Sequence, residues 1–273
     1  MGTESSDRPA LRVGSVPYLV GRPLDLGLEG RHGLTLERTV PAELVERLRA
    51  GSLDLALVSS IELFRQPGYR YLDGLAVLGD GPVSSVQVFL RRPAGELRRV
   101  ALDPASRTSA VLARIVIEER YGASPEFVEV ASGVDPRSVE ADAWLRIGDA
   151  ALAERLLEPE LEALDLSAEW REATGLPFPF AVWVVRSEAP IEPWVPIFHE
   201  SRAIGGEAAG ELADRAASET GLPRAHMRRY LLEECRYDPG ARLGPALKRF
   251  RDLAAARGAC DPALDPRPIP VPS

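Results

Sequence analysis

Short apolar runs alternate with segments of helical periodicity from Leu11 to Arg186. Apolar runs that predict strands lie at 11–14, 34–40, 54–58, 83–90, 100–102, 127–130, 141–147 and 180–186. Segments with apolar residues three and four positions apart predict helices at 41–48, 61–65, 108–121 and 150–157. Strands that alternate with helices in this way predict an α/β fold with parallel sheets.

The pattern also predicts two lobes. The segment 91–95, RRPAG, breaks the strand before it, and we place the first crossing of the chain there. Lobe one then comprises residues 1–93 and 188–273, and lobe two comprises 94–187. The final strand, at 180–186, can lead the chain back to lobe one. The rest of the chain is predicted to be helical at 194–209, 211–220, 224–234 and 243–256, with an extended tail at 265–273. A cleft between two lobes is a preferred place for a ligand.

Charge and hydropathy narrow the classes of partner. The 273 residues carry a formal net charge of −8, and acidic and basic residues are interspersed, which argues against a nucleic-acid partner. No apolar run reaches the ~18 residues that span a bilayer, so we expect no membrane partner. Residues 1–9 contain no apolar signal segment, so we expect a cytoplasmic protein. The oligomeric state is left open.

Cysteine and histidine usage argues against a metal site. Cys235 and Cys260 are far apart and lie in no C-x-x-C pattern, which fits a reducing compartment. His32, His199 and His226 have no metal-ligand neighbour three or four positions away. We therefore expect no bound metal.

Segment 101–109, ALDPASRTS, carries the strongest chemical signal: a strand, then a hydroxyl-rich loop that opens a helix. The free N–H groups of the helix start, with the hydroxyls of Ser106, Thr108 and Ser109, can hold an anion. Arg107 can add a charge-assisted hydrogen bond. The same hydroxyls also suit a plain helix cap, so the residues alone leave both interpretations open.

Three further strand ends carry polar residues. Ser59 and Ser60 follow the strand at 54–58, and Glu62 is either a general base or a carboxylate that stabilises the helix start. Ser84 and Ser85 follow a glycine-containing turn and can face the cleft. Asp149 ends the strand at 141–147, where ligand contacts and surface ion pairs are both common.

Six motifs, in order, resemble those of chorismate dehydratases of the futalosine route to menaquinone. Segment 16–24, VPYLVGRPL, resembles S-Y-L-N-x-x-P-L, and 54–62, DLALVSSIE, resembles D-x-A-L-[IV]-[PS]-S-I-E. Segment 81–86, GPVSSV, is similar to G-P-V-x-S-V, and 102–109 is similar to L-D-x-x-S-R-T-S. IGD at 147–149, and DLSAEW at 165–170 with TGLPF at 174–178, complete the series. The matches cover about residues 11–186, and the helical tail adds little.

The resemblance implies a two-lobed periplasmic-binding-protein-like fold of type II, without export. It implies dehydration of chorismate to 3-[(1-carboxyvinyl)oxy]benzoate with no cofactor, and the enolpyruvyl carboxylate of the substrate is a candidate base. Carried over by position, Ser85 is the catalytic polar group. The implied substrate-binding residues are Val20, Arg22, Ser59, Ser60, Ser84, Ser106, Arg107, Thr108, Ser109 and Asp149.

Val20 departs from the family pattern, which has asparagine there. Valine neither donates nor accepts a hydrogen bond. Arg22 or Ser85 can take over that polar role, or the substrate can differ. Two alternatives therefore stand beside the dehydratase: a lyase acting on another cyclic carboxylate, and a non-catalytic cytoplasmic binding protein for such a ligand.

Overall fold

The computed structural model describes residues 10–105, 107–131 and 133–270. Its strands are β1 Leu11–Ser15, β2 Leu34–Arg38, β3 Leu55–Ser59, β4 Tyr69–Gly79, β5 Val86–Leu90, β6 Arg99–Leu102, β7 Glu126–Glu129, β8 Ala143–Ile147, β9 Ala163–Asp165, β10 Phe178–Arg186, β11 Cys235–Arg236 and β12 Arg267–Ile269. Its α-helices are α1 Arg22–Asp25, α2 Pro41–Arg49, α3 Arg107–Tyr121, α4 Gly148–Leu157, α5 Leu166–Thr174, α6 Val195–Glu207, α7 Ala209–Thr220, α8 Arg224–Arg229 and α9 Leu243–Ala255. A 3₁₀ turn, Ser60–Phe64, follows β3, and a π turn, Tyr230–Glu234, follows α8.

The strands form two sheets, one for each lobe. The first has the order β11-β4-β10-β3-β1-β2, with β12 beside β4, and the second has the order β7-β6-β8-β5-β9. The expectation of parallel sheets is right for β1 with β2 and β3, and for β6 with β7 and β8, but both sheets are mixed. β10 runs antiparallel to β3 and β4, and β5 runs antiparallel to β8 and β9. β10 and β5 are each the first strand after the chain crosses from the other lobe. They start at the edge where β3 and β8 end, and they therefore run antiparallel to these strands.

The first crossing between the sheets comes earlier in the chain than residue 93. β5 pairs with β8 and β9, which places it in the second sheet, and the chain crosses in the segment 80–85. All five residues of β5 are buried. A strand buried on both faces shows no alternation that would assign it to one sheet, which is why its pattern gave no sign of the crossing.

The apolar pattern did not predict β4, an eleven-residue strand in the middle of the first sheet. Asp73 and Gly74 interrupt its apolar pattern, and Gly74 has a φ of +70°, a conformation that glycine adopts without strain. β4 pairs with β10 on one side and with β11 and β12 on the other. The residues near its carboxyl end reach the cleft between the lobes.

The C-terminal helices pack against both lobes. A cluster of buried side chains from α7, α8 and the π turn encloses Val83 of the crossing segment and Leu152 of α4. Leu19 and Val20, after β1, lie at its edge. Among the described residues, no helix combines the length and the apolar character needed to cross a bilayer.

An ion pair between an arginine and a fully buried carboxylate fixes α2 to the turn after β3. Arg49 donates to both carboxylate oxygens of the fully buried Glu62, at 2.7 and 2.8 Å. Replacing Arg49 by methionine leaves that carboxylate without its partner. We expect the free energy of unfolding, measured by urea denaturation, to fall by about 3 kcal/mol.

Arg47→Met on the same helix is the matched control. Arg47 pairs with the half-exposed Glu37, and we expect its loss to lower the free energy of unfolding far less than the loss of Arg49. Equal losses for the two variants would contradict a special role for the Arg49–Glu62 pair.

Candidate functional site

A cleft of about 350 Å³ lies where the two sheets meet. Strand ends of both sheets reach it: β3 and β4 from the first and β8 from the second, with the start of β10. Its volume is within the range of roughly 300–1,000 Å³ that small-molecule sites have. Most of the lining is apolar. The apolar lining residues are Val16, Val20, Pro41, Val58, Val77, Leu78, Val83, Val86, Ala105, Ile147, Ala150, Phe180 and Ala181.

The start of α3 forms one polar wall of the cleft. Thr108 and Ser109 lie in its first turn, and both are buried. The Thr108 hydroxyl accepts a hydrogen bond from the backbone N–H of Ile61, at 3.3 Å. Ile61 lies in the turn after β3, so this bond joins the two lobes at the cleft. Ser106 was expected here, and it lies outside the described residues.

The start of α4 forms a second polar wall. Gly148, Asp149 and Ala150 line the cleft there. The Gly148 N–H donates to the carbonyl of Ser85 at 2.8 Å, which joins α4 to the start of β5. Burial raises the pKa of the Asp149 carboxyl. Both α3 and α4 therefore turn the N–H groups of a helix start toward one space.

The described lining residues include no lysine, arginine or histidine. Their acidic side chains are Asp103 and Asp149. An anion in the cleft therefore depends on backbone N–H groups and hydroxyls, which is how helix starts bind carboxylates and phosphates. Within the described ranges, no three His, Cys, Asp or Glu side chains are grouped as metal ligands would be.

Ser85 lies between the two lobes, with 5% of its surface exposed. Tyr230, from the π turn, lies beside it and also lines the cleft. Burial raises the pKa of Tyr230 well above its usual range, so its hydroxyl stays protonated and can donate. Burial also raises the pKa of the neighbouring Cys235 thiol to about 12, which keeps that thiol neutral.

Sequence comparisons identify the relatives of this chain. A family model described as menaquinone biosynthesis matches residues 11–256. The chorismate dehydratase of Thermus thermophilus is 33% identical over 238 residues, covering 79% of this chain and 87% of the relative. This chain belongs to the menaquinone-biosynthesis family. The chorismate dehydratase of Campylobacter jejuni is 32% identical over 164 residues, covering 60% of this chain and 58% of the relative.

Solved structures confirm the expected fold of this family member. A crystallised protein from Archaeoglobus fulgidus has a TM-score of 0.71 at 20% identity, covering 91% of this chain and 98% of that one. The periplasmic aliphatic sulphonate binding protein SsuA of Escherichia coli has a TM-score of 0.66 at 18% identity, covering 96% of this chain and 94% of that one. The family member thus has the two-lobed periplasmic-binding-protein-like architecture.

The residues that the family resemblance implied fall into two groups. Those that line the cleft are Val20, Ser59, Ser85, Thr108, Ser109 and Asp149. Arg22, Ser60, Ser84 and Arg107 are not among its lining residues. A residue of a family motif therefore need not line the cleft. In the segment Ser59-Ser60, for example, Ser59 lines the cleft and Ser60 does not.

Several residues outside the cleft have other partners. The Arg22 guanidinium pairs with the buried Asp25 at 3.2 Å and with Glu29 at 2.8 Å, so the structure holds this side chain in ion pairs outside the cleft. The buried Ser60 hydroxyl donates to the carbonyl of Pro179 at 2.6 Å. Glu62, the candidate general base, is fully buried, pairs with Arg49 and does not line the cleft.

Sequence reasoning missed four polar residues of the cleft. Tyr18 and Asp103 stand inside the quoted motifs, next to residues that were selected. Tyr230 and Cys235 come from the helical tail, which carries none of the six family motifs. The only available signal was the apolar spacing of 224–234, which predicts a helix and says nothing about which lobe it covers.

We expect Asp149 to make the binding of anions in the cleft dependent on pH. Its pKa is already raised by burial, and a bound anion raises it further, so affinity should fall as the pH rises from the pKa of the free form to that of the bound form. We expect isophthalate, a planar ring with two carboxylates, to lose at most about tenfold in affinity per pH unit across that window. Calorimetric titration between pH 4 and 8 measures this.

Asp149→Asn should flatten that pH dependence. Asp142→Asn is the control, because Asp142 lies at the opposite end of β8 and away from the cleft. A pH profile that is the same in the wild type and in Asp149→Asn would refute the role given to this carboxyl.

Proposed function

We propose that this protein dehydrates chorismate to 3-[(1-carboxyvinyl)oxy]benzoate and water, a step of menaquinone biosynthesis. The observation that carries the proposal is the cleft itself. Two helix starts and Ser85 meet there, in a chain that matches a chorismate dehydratase over 87% of that enzyme's length. The reaction is a hydro-lyase reaction, and the proposal involves no cofactor.

The reaction is driven by the substrate. Removing the proton at C3 and the hydroxyl at C4 makes the ring of chorismate aromatic. The protein then has to hold two carboxylates, exclude water and orient the leaving hydroxyl. The apolar strand ends around the cleft serve the second task, and polar groups on its walls serve the other two.

The helix starts suit the two carboxylates. We assign one to the first turn of α3, where Thr108 and Ser109 add hydroxyl donors, and the other to the N–H groups at the start of α4. No cation among the described lining residues supplies this binding. Neutral donors hold an anion without a mobile charged side chain, so the site is organised before the substrate arrives. Ser59, at the start of the facing turn, can add a donor from the first lobe.

Ser85 and Tyr230 suit the leaving hydroxyl. Both side chains are buried, both line the cleft, and both remain neutral hydrogen-bonding groups at physiological pH. Donation to the C4 oxygen stabilises the charge that develops there as the C–O bond breaks. The enolpyruvyl carboxylate of chorismate takes the C3 proton in this proposal, since Glu62 lies outside the cleft and is paired with Arg49.

We also infer that the protein acts in the cytoplasm. Cys235 and Cys260 are both free thiols, as expected in a reducing compartment. The partner at the cleft is a small carboxylate.

Val20 supports a second candidate function. It lines the cleft, where a family member usually has an asparagine, and it offers no hydrogen bond. That difference would suit a lyase acting on another cyclic carboxylate. A non-catalytic binding protein is the remaining alternative, and product formation separates it from both lyases.

The first experiment incubates purified protein with chorismate and follows the carboxyvinyloxybenzoate product by chromatography. We expect product at an enzymatic rate from the wild type. Ser85→Ala should lower kcat by about 10²- to 10³-fold, as expected for one preorganised donor. Binding of chorismate without product would refute the proposal in favour of the binding protein.

Val20→Asn tests the departure from the family. It restores the family amide, and we expect kcat on chorismate to rise, by as much as about 10²- to 10³-fold. A higher KM with unchanged kcat would instead indicate a cleft shaped for another substrate. Val134→Asn, at an exposed position that does not line the cleft, is the matched control for the chemical change alone.

A further inference from the structure

Two carboxylates from distant parts of the chain hold consecutive amides of the crossing segment. The Val83 N–H donates to Oδ2 of Asp165 at 2.7 Å. The Ser84 N–H donates to Oε2 of Glu234 at 2.8 Å. Asp165 ends β9 in the second lobe, and Glu234 ends the π turn of the C-terminal region. The next residue, Ser85, lines the cleft.

Asp165 does more than cap a helix. Its Oδ1 accepts from the N–H groups of Ser167 and Ala168, at 3.1 and 3.0 Å, which is an ordinary N-cap of α5. Its Oδ2 is used separately, for Val83 and for the side-chain amide of Gln87 at 3.0 Å. The same Gln87 amide donates to the Val83 carbonyl at 2.9 Å. Both polar backbone groups of Val83 are therefore fixed by the Asp165–Gln87 pair.

Glu234 holds Ser84 with both carboxylate oxygens. Oε2 accepts from the backbone N–H, and Oε1 accepts from the Ser84 hydroxyl at 3.0 Å. Only 8% of the Glu234 side chain is exposed, and its other contact is the largely exposed Arg229 at 3.3 Å. The π turn that ends at Glu234 begins at Tyr230, beside Ser85. Such turns are often found at functional sites.

The backbone of Ser85 is also held on its carboxyl side. Its carbonyl accepts from Gly148 at 2.8 Å, and the next residue, Val86, pairs with Ile147. With Val83 and Ser84 fixed on the other side, the direction of the Ser85 side chain is set by its neighbours. A serine that must donate to one substrate oxygen needs such a fixed direction.

We propose that Asp165 and Glu234 are positioning residues that direct the Ser85 hydroxyl into the cleft by holding the backbone of the crossing segment. This inference rests on the proposed function. It differs from a purely structural role because it places the effect on catalysis, through Ser85, and not on folding.

The pH dependence separates the two roles. Burial raises the pKa of Asp165 to about 6, more than its four N–H donors lower it. Those donors are neutral groups of the crossing segment, β5 and α5. Charged groups of the same region are Asp80, at the start of the crossing, which pairs with Arg171 and Arg242, and Arg229, which pairs with Glu234.

The two expected trends have opposite signs. A carboxyl whose folded pKa lies above its unfolded value binds a proton more tightly in the folded state, so its contribution to stability rises as the pH falls from about 6 toward 4. Protonation also removes an acceptor from Val83 and Gln87, so kcat should fall over the same range. A purely structural role gives no reason for kcat to fall while this contribution to stability rises.

The experiment compares four variants with the wild type. Asp165→Ser keeps a cap for α5 but is too short to reach Val83, and Asp165→Asn turns one acceptor into a donor. Glu234→Leu removes both contacts with Ser84. Asp142→Asn is the matched control, since Asp142 also accepts from two backbone N–H groups, those of Arg98 and Arg99, but at the opposite end of the second sheet.

We expect the Asp165 and Glu234 variants to lose about 10- to 100-fold in kcat on chorismate, with KM changed less than about threefold. Hydrogen–deuterium exchange of the Val83 and Ser84 amides should become faster, while Tm stays close to that of the control variant. In Asp165→Ser, the fall of kcat below about pH 6 should disappear.

Faster exchange at Val83 and Ser84 with unchanged kcat would overturn the proposal, and so would a loss of kcat matched by Asp142→Asn. If the wild type gives no product from chorismate, the proposed function fails. The hydrogen–deuterium exchange data then test separately whether Asp165 and Glu234 fix the backbone of the crossing segment. Unchanged exchange rates of the Val83 and Ser84 amides in the variants would refute this, and faster exchange would support it.

Discussion

The chain must pass from one sheet to the other and back, and each passage has to occur where strands begin or end. This constraint sets the rest of the structure. It makes β5 and β10 antiparallel to their neighbours, because each strand starts at the sheet edge where the chain crosses from the other lobe. It also brings the ends of β3, β4 and β8 to one edge, together with the helix starts of α3 and α4. The cleft is the space that these ends share, and its polar groups are those that strand ends and helix starts leave free.

The cleft offers an anion the dipoles of helix starts and hydroxyl groups. Its described lining has two carboxyls and no cationic side chain, although the chain contains 33 lysines and arginines. Many of the arginines are paired with carboxylates elsewhere, such as Arg49 with Glu62 and Arg22 with Glu29. Backbone N–H groups are fixed by the helices that carry them, so they lose no side-chain entropy when a ligand binds. Asp149 lies in the first turn of α4, beside the carboxylate that we assign to that helix start, so the protonated form of Asp149 favours the bound ligand.

The sequence predicted what local patterns determine. The strands at β1, β3, β6 and β8, the helix at α3 and the six family motifs were recognised because apolar spacing and motif order are properties of short segments. Residues whose place depends on distant pairing could not be predicted in this way. The fully buried β5 fits either sheet, β4 is interrupted at Asp73-Gly74, and Tyr230 reaches the cleft only through the packing of α7 and α8 on Val83. Motif membership likewise could not separate Ser59, which lines the cleft, from Ser60, whose hydroxyl is bonded to Pro179.

The part that the C-terminal region plays in the cleft has a consequence for synthesis on the ribosome. β4 emerges early, but β11 and β12, which cover its outer edge, and Tyr230, which stands beside Ser85, emerge long after it. Until then, an apolar strand edge and an unfinished cleft are exposed in the nascent chain, and such edges pair readily with other chains. A chain that ends between Phe178 and Tyr230 therefore contains all six motifs and still lacks a complete site.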